Sequence, residues 1–128
     1  SQEKNTKNNP FSYNERKAMI SKALKANKIK SFRIYQIPDL YDDVKWTRYI
    51  LKNLPKFDIA YSGNEWTIRC LKKHKLKAQK IMLVKGISST KIRGMMAKNK
   101  NWKVFVPKEI IKSVNGIKGA AKIRNLYK

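Results

Sequence analysis

The chain predicts an α/β fold with a parallel sheet, on three observations. Short stretches of β character, Ser31 to Ile37, Phe57 to Tyr61 and Leu76 to Val84, alternate with segments whose apolar residues recur at helical spacing. Such alternation gives parallel strands joined by right-handed crossovers. Each β stretch also runs into a turn: Pro38-Asp39, Ser62-Gly63-Asn64, and Ile87-Ser88-Ser89-Thr90. Ligands of parallel sheets bind beyond the C-terminal strand ends, where these turns fall.

Taken in order, Ser1 to Asn9 is polar, lacks apolar periodicity and reads as loop. Ser12-x-x-Glu15 forms a capping box ahead of Met19, Ile20, Ala23 and Leu24, which predicts a helix. Arg16 falls in that helix's first turn, where the dipole disfavours a cation; either it holds an anion or it is a solvated arginine. In the first β stretch Phe32 and Ile34 alternate with Arg33 and Tyr35. Asp42 or Asp43 caps the next helix, which carries Trp46, Ile50, Leu51 and Leu54. Taken alone, Trp46 would be core. Gly63 allows close backbone approach to a ligand, and Asn64 can cap a helix with Ile68, Cys70 and Leu71. Trp102 to Phe105 is a connector. Pro107 suits the first position of a helix holding Ile110, Ile111 and Val114, ended by Gly116, and a basic helix spans roughly 120–127. No repeat or linker interrupts this pattern, so residues 1–128 read as a single domain.

The third turn carries the sharpest chemical signal. Apolar Ile81-Met82-Leu83-Val84 leads through Ile87-Ser88-Ser89-Thr90-Lys91-Ile92-Arg93 into a helical pattern with Met95 and Met96. A helix N-terminus presents unpaired N–H groups and a positive dipole end, which suit anions. Ser88, Ser89 and Thr90 add hydroxyl donors, and Arg93, one turn inside, reaches the same region. The set grips phosphate; an ordinary N-cap would use the same hydroxyl residues.

Composition narrows the rest. With 31 basic and 8 acidic residues the chain carries +23, a charge that favours polyanionic partners. The lysines are spread over every segment, as a lysine-biased composition places them on solvated helix faces, and that reading is preferred to a nucleic-acid role. One cysteine excludes an internal disulfide, and Cys70 with the single His74 cannot build a zinc cluster, so no metal ligands are assigned. No apolar run approaches the ~20 residues of a membrane span and no secretory signal is visible, so a cytoplasmic protein without membrane contact is expected.

ISSTKIR (Ile87 to Arg93) resembles the ISxTxIR signature of HIGH-motif nucleotidyltransferases. Asn9-Pro10-Phe11-Ser12 with Glu15-Arg16 and Met19-Ile20, Ile37-Pro38-Asp39 with Trp46 and Tyr49, Phe57-Asp58 with Ser62-Gly63-Asn64, Val106-Pro107-Lys108 and the Ile117 to Leu126 tail resemble, in the same order, segments of archaeal-type nicotinamide-mononucleotide adenylyltransferases. The likeness is collinear over nearly the whole chain. It departs at one point: the family opens with a strand and helix bearing an H-x-G-H motif, which this chain lacks. Ser1 aligns just after the family's second strand, so the expectation is an absent first βαβ unit of roughly 30 or more residues, either missing from the sequence or supplied by a second chain.

The resemblance implies a Rossmann-like nucleotidyltransferase fold of strand order 3-2-1-4-5, of which this chain would supply strands three, four and five. It implies transfer of the adenylyl group of ATP to nicotinamide mononucleotide, giving NAD and pyrophosphate, with Mg²⁺ held through ATP phosphates. Activity would require the missing H-x-G-H segment. Ser88, Thr90 and Arg93 would hold the β- and γ-phosphates and carry catalysis, with Ile87 and Ser89 in the same turn. Asn9, Phe11, Arg16, Asp39 and Trp46 would shape the mononucleotide pocket, Trp46 stacking on the nicotinamide ring, and Gly63 and Asn64 would lie near the adenosine. Partners would be small nucleotides, with a homo-oligomer implied. The alternatives are an adenylyltransferase for another phosphorylated acceptor, or a non-catalytic nucleic-acid-binding module on this fold.

Overall fold

The computed structural model describes residues 1–128. Its elements in chain order are α1 (Tyr13–Ala26), α2 (Asp43–Asn53), β1 (Ala60–Ser62), α3 (Glu65–Lys73), β2 (Ala78–Lys80), α4 (Ser89–Ala97), a 3₁₀ turn at Lys103–Phe105, α5 (Lys108–Gly116) and α6 (Gly119–Leu126). They form two compact units, one of Ser1–Gln36 with Gly86–Lys128 and one of Ile37–Lys85. No helix is long and apolar enough to cross a membrane.

The first unit is helical. Ser12 caps α1 as its sequence requires: the Ser12 hydroxyl accepts from the Glu15 backbone N–H at 3.2 Å, and the Glu15 carboxylate accepts from the Ser12 N–H at 2.7 Å. Helices α1, α4, α5 and α6 enclose a core of Met19, Met96, Trp102, Val114 and Ile123, with Phe11, Ile92 and Ile110 packed against it. Trp102, expected in a mere connector, is thus a buried core residue. Pro107 stands one residue outside α5 as its N-cap, not at its first position, because extended backbone there (ψ 150°) precedes the helix. Lys118 adopts the left-handed conformation (φ 52°), which turns the chain sharply from α5 into α6.

Glu15 ties α1 to α6 through Lys122 Nζ at 3.4 Å. The Ser12 N–H holds its carboxyl below the ordinary glutamate range against the opposing effect of burial, with Lys122 assisting. A depressed carboxyl contributes stability above its unfolded pKa and loses it as pH falls through the folded one. Acid titration should therefore weaken the protein below the usual glutamate range, and Glu15→Gln should flatten part of that limb in urea unfolding followed by circular dichroism. Asp43 and Glu65, lowered by hydrogen bonds from Lys73 and Lys80, leave the remainder of the slope in place.

The second unit is α/β. Strands β1 and β2 pair in parallel, with Ala60 opposite Ala78 and Ser62 opposite Lys80, and α3 connects them. The pairing extends by Ala60 N–H to Lys77 O (2.9 Å) and Ile81 N–H to Ser62 O (3.0 Å). These are the second and third predicted strands, neighbours as the 4-5 end of the expected order requires. Helix α3 packs on both strands and α2 packs on α3, burying Thr47, Ile50, Ile68, Cys70 and Leu71. Thr47 satisfies its fully buried hydroxyl by donating to Asp43 O at 2.8 Å.

Two strand expectations need correction. Residues 31–37 form no strand, although Phe32 and Ile34 are half-buried and Arg33 and Tyr35 exposed, the alternation anticipated. A strand is completed by its neighbours' backbone groups, and the sheet holds only β1 and β2. The stretches 57–61 and 76–84 shorten to three residues each. Beyond Ser62 the β1 chain turns at Gly63 into α3, which leaves Met82 to Val84 outside the ladder and Met82 96% exposed.

Candidate active site

In the first unit, a cavity of about 290 Å³ gathers residues from three separate stretches: Asn9 and Phe11 from the opening loop, Arg16 from α1, and Ser89 and Arg93 from α4. Its remaining lining is largely apolar, including Met19, Ile92, Met96 and Ile110. Ser88 caps α4, its hydroxyl accepting from the Lys91 N–H at 3.1 Å. With Ser88 so engaged, Ser89 is the hydroxyl residue that lines the cavity. Ile87, Ser88 and Thr90 do not line it, though the Arg93 guanidinium donates to Thr90 Oγ1 at 3.3 Å.

The electrostatics of this cavity are unbalanced. Arg93 Nε is buried and has no hydrogen-bond partner, a cost of about 1–3 kcal/mol for an unsatisfied donor and more for a charged one. Arg16 spends its donors on backbone carbonyls, Ser1 O at 2.7 Å and Ser12 O at 3.4 Å, and no carboxylate lines the cavity. Two guanidinium groups beside an apolar wall are therefore uncompensated by any protein anion. The wider field has the same sign. Residues 1–36 and 86–128 carry 20 Lys and Arg against 3 Asp and Glu, or +17 of the chain's +23, while residues 37–85 carry 11 against 5.

The second unit holds its own cavity, about 410 Å³, lined by Pro38, Asp39, Leu40, Tyr41, Trp46, Asn64, Trp66 and Thr67. Asp42 caps α2 through the Lys45 N–H at 2.8 Å, which sets Trp46 in the helix's first turn. Asn64 Oδ1 accepts from the Trp66 and Thr67 N–H groups at 2.8 and 3.2 Å, which sets Trp66 at the start of α3. Asn64, expected beside Gly63 in a different part of the site, thus lines the same cavity as Asp39 and Trp46. Gly63 does not line it: a Cβ there would meet the chain's own Leu83 at 3.4 Å and Ile81 at 3.7 Å, so the space beside this glycine belongs to the protein. Trp66 was not singled out from sequence. Its only signal was an aromatic residue two positions after a cap, and its pairing with Trp46, 20 positions away, is tertiary.

Neither cavity contains a nucleophile with a base. Burial pushes the Cys70 thiol up, away from the thiolate form, and His74 Nδ1 lies 2.9 Å from the Cys70 carbonyl, as part of the α3 C-terminus. The geometry suits binding and charge stabilisation.

No family model matches the chain. Curated relatives do. The chain is 33% identical over 98% of its length to a nicotinamide-nucleotide adenylyltransferase of Saccharolobus solfataricus, covering 76% of that protein. It is 30% identical, again over 98% of its length, to the nicotinamide-nucleotide adenylyltransferase of Pyrococcus horikoshii, covering 69% of it. A Thermoplasma acidophilum protein of the same name is 31% identical over 92% of this chain, which covers 67% of it. The collinear motifs, the α/β architecture and these relatives agree: the chain belongs to the archaeal nicotinamide-nucleotide adenylyltransferase family.

Proposed function

We propose that the protein transfers the adenylyl group of ATP to nicotinamide mononucleotide, forming NAD and pyrophosphate. The observation that carries the phosphate site is the buried, unpartnered Arg93 Nε in a cavity that also receives Arg16 and Ser89. In this reaction a mononucleotide phosphate oxygen attacks the α-phosphorus of ATP in line. A new phosphoanhydride P–O bond forms, the bond between the α-phosphorus and its bridging oxygen breaks, and pyrophosphate leaves with the electron pair. Little proton transfer is needed, so positioning and charge stabilisation dominate. Arg93, with Ser89 in the same cavity and Thr90 holding the guanidinium, would stabilise charge on the departing phosphates, the α4 N-terminus adding its dipole. Within the first unit, Asn9, Phe11 and Arg16 would hold a nucleotide phosphate; within the second, Asp39 and Trp46 line a cavity suited to nicotinamide, a planar cation that fits an indole face.

Mg²⁺ fits this donor set in one specific way. The chain has no group of three or more His, Cys, Asp or Glu residues placed to hold a metal, and Mg²⁺ is commonly bound through substrate phosphates and water. When bound, it would neutralise phosphate charge.

The direct test is NAD formation by the full-length protein from nicotinamide mononucleotide, ATP and Mg²⁺; no product would defeat the proposal. A second measurement addresses the ring site. Trp46→Ala should raise the KM for nicotinamide mononucleotide several-fold while that for ATP changes little, because only one substrate carries the pyridinium. Equal effects on both substrates would make Trp46 a packing residue.

A further inference from the structure

Trp46 and Trp66 lie with ring centroids 5.3 Å apart and planes at 65°. A flat ring held between two indoles needs about 3.5 Å on each side, so centroids about 7 Å apart and planes near parallel. The observed pair satisfies neither condition. No ring enters between the two indoles, and one indole presents its edge to the other's face, the preferred aromatic geometry.

Both indoles stand on anchored helices. Trp46 is beside buried Thr47 in α2, and Trp66 is two residues before buried Ile68 in α3. Trp66 is further fixed by its backbone N–H to Asn64 Oδ1. Both remain only half-buried and line the same cavity as Asp39. A tryptophan in a helix's first turn that faces an open cavity has rotamer freedom, and stacking requires one plane.

We infer that Trp66 is a positioning residue: its edge-to-face contact fixes the plane of the Trp46 indole and leaves one indole surface free to stack on a planar cationic ring. The inference rests on the proposed nicotinamide site and adds to it the residue that pre-orients the stacking surface. Such a residue lowers the ordering cost of binding without touching the reacting phosphates. Its signature is a change in KM for the ring-bearing substrate with kcat nearly unchanged.

The test uses the full-length protein with Trp66→Ala and Trp66→Phe. Edge-to-face pairs contribute ~0.5–1.5 kcal/mol, so Trp66→Ala should raise the nicotinamide mononucleotide KM ~2–12-fold, leave the ATP KM unchanged, and abolish the exciton signal of the coupled indoles in circular dichroism. Trp66→Phe, which retains an aromatic edge, should recover most of the affinity. Unchanged KM in Trp66→Ala, or an equal rise for ATP, would overturn the inference; so would Trp66→Phe behaving like Trp66→Ala. If Trp66→Ala fails to fold, Trp66→Phe and Trp66→Leu carry the same comparison. Wild-type protein that makes NAD while these variants match it sinks the positioning role alone, whereas wild-type protein that makes no NAD sinks the functional reading and the inference with it.

Discussion

Arg93→Ala should lower kcat for NAD formation by about two or more orders of magnitude, the scale of losing one pre-organised transition-state donor. The structure adds a second, opposite expectation for stability. The guanidinium is held by Thr90 Oγ1 at 3.3 Å, but its Nε is buried with no hydrogen-bond partner. Removing an unsatisfied buried donor relieves a desolvation cost. Arg93→Met, which keeps the aliphatic stem against the largely apolar cavity wall, should therefore unfold at the same or a higher urea concentration while losing activity as alanine does. Activity falling together with stability would make Arg93 a structural residue. Near-normal turnover would remove it from the reaction.

Gly119→Ala should destabilise the protein by about 1–2 kcal/mol, although alanine is the better helix former by about 1 kcal/mol. Gly119 opens α6, and a Cβ there would lie 2.9 Å from Val114 Cγ1 and 3.0 Å from two Phe11 ring atoms. Val114 is 1% exposed and has no space to yield, so the added methyl overpacks the core, which typically costs about 1–3 kcal/mol. Phe11 also lines the Arg16–Arg93 cavity. A displaced ring would carry the fault into the site, and activity should fall beyond what the fraction unfolded explains. Val114→Ala opens the crowded spot, so the double variant Gly119→Ala/Val114→Ala should be more stable than the two single losses added together. Urea midpoints of all four proteins give that coupling; strict additivity would place the clash elsewhere.

The sequence was informative where chemistry is local. The Ser12–Glu15 capping box and the caps at Asp42, Asn64 and Ser88 all formed, because each depends on residues two or three positions apart. Arg16 looked misplaced by dipole logic, and it lines the cavity that also takes Ser89 and Arg93. Strands were less legible. Residues 31–37 have the alternation of a strand and its burial pattern but no ladder, since pairing is a property of neighbours. The same limit hid Trp66, whose meaning comes from a ring 20 positions away, and Gly63, which meets its own chain. The unpaired Arg93 Nε also had no local signature; burial of one atom emerges only when the opening loop, α1 and α4 converge.

That convergence sets an order of events during synthesis. Residues 37–85 form a contiguous stretch whose contacts are short in sequence, whereas the first unit is assembled from two stretches on either side of it, residues 1–36 and 86–128. The Glu15–Lys122 pair spans 107 positions, and α1 finds its core partners Val114 and Ile123 only after α5 and α6 are made. Local contacts close early, and distant ones wait on a longer loop. On the ribosome the middle segment can settle first, while α1 remains without its partners until α5 and α6 have emerged. The cavity of Arg16 and Arg93, which needs both α1 and α4, therefore forms after the middle segment has settled.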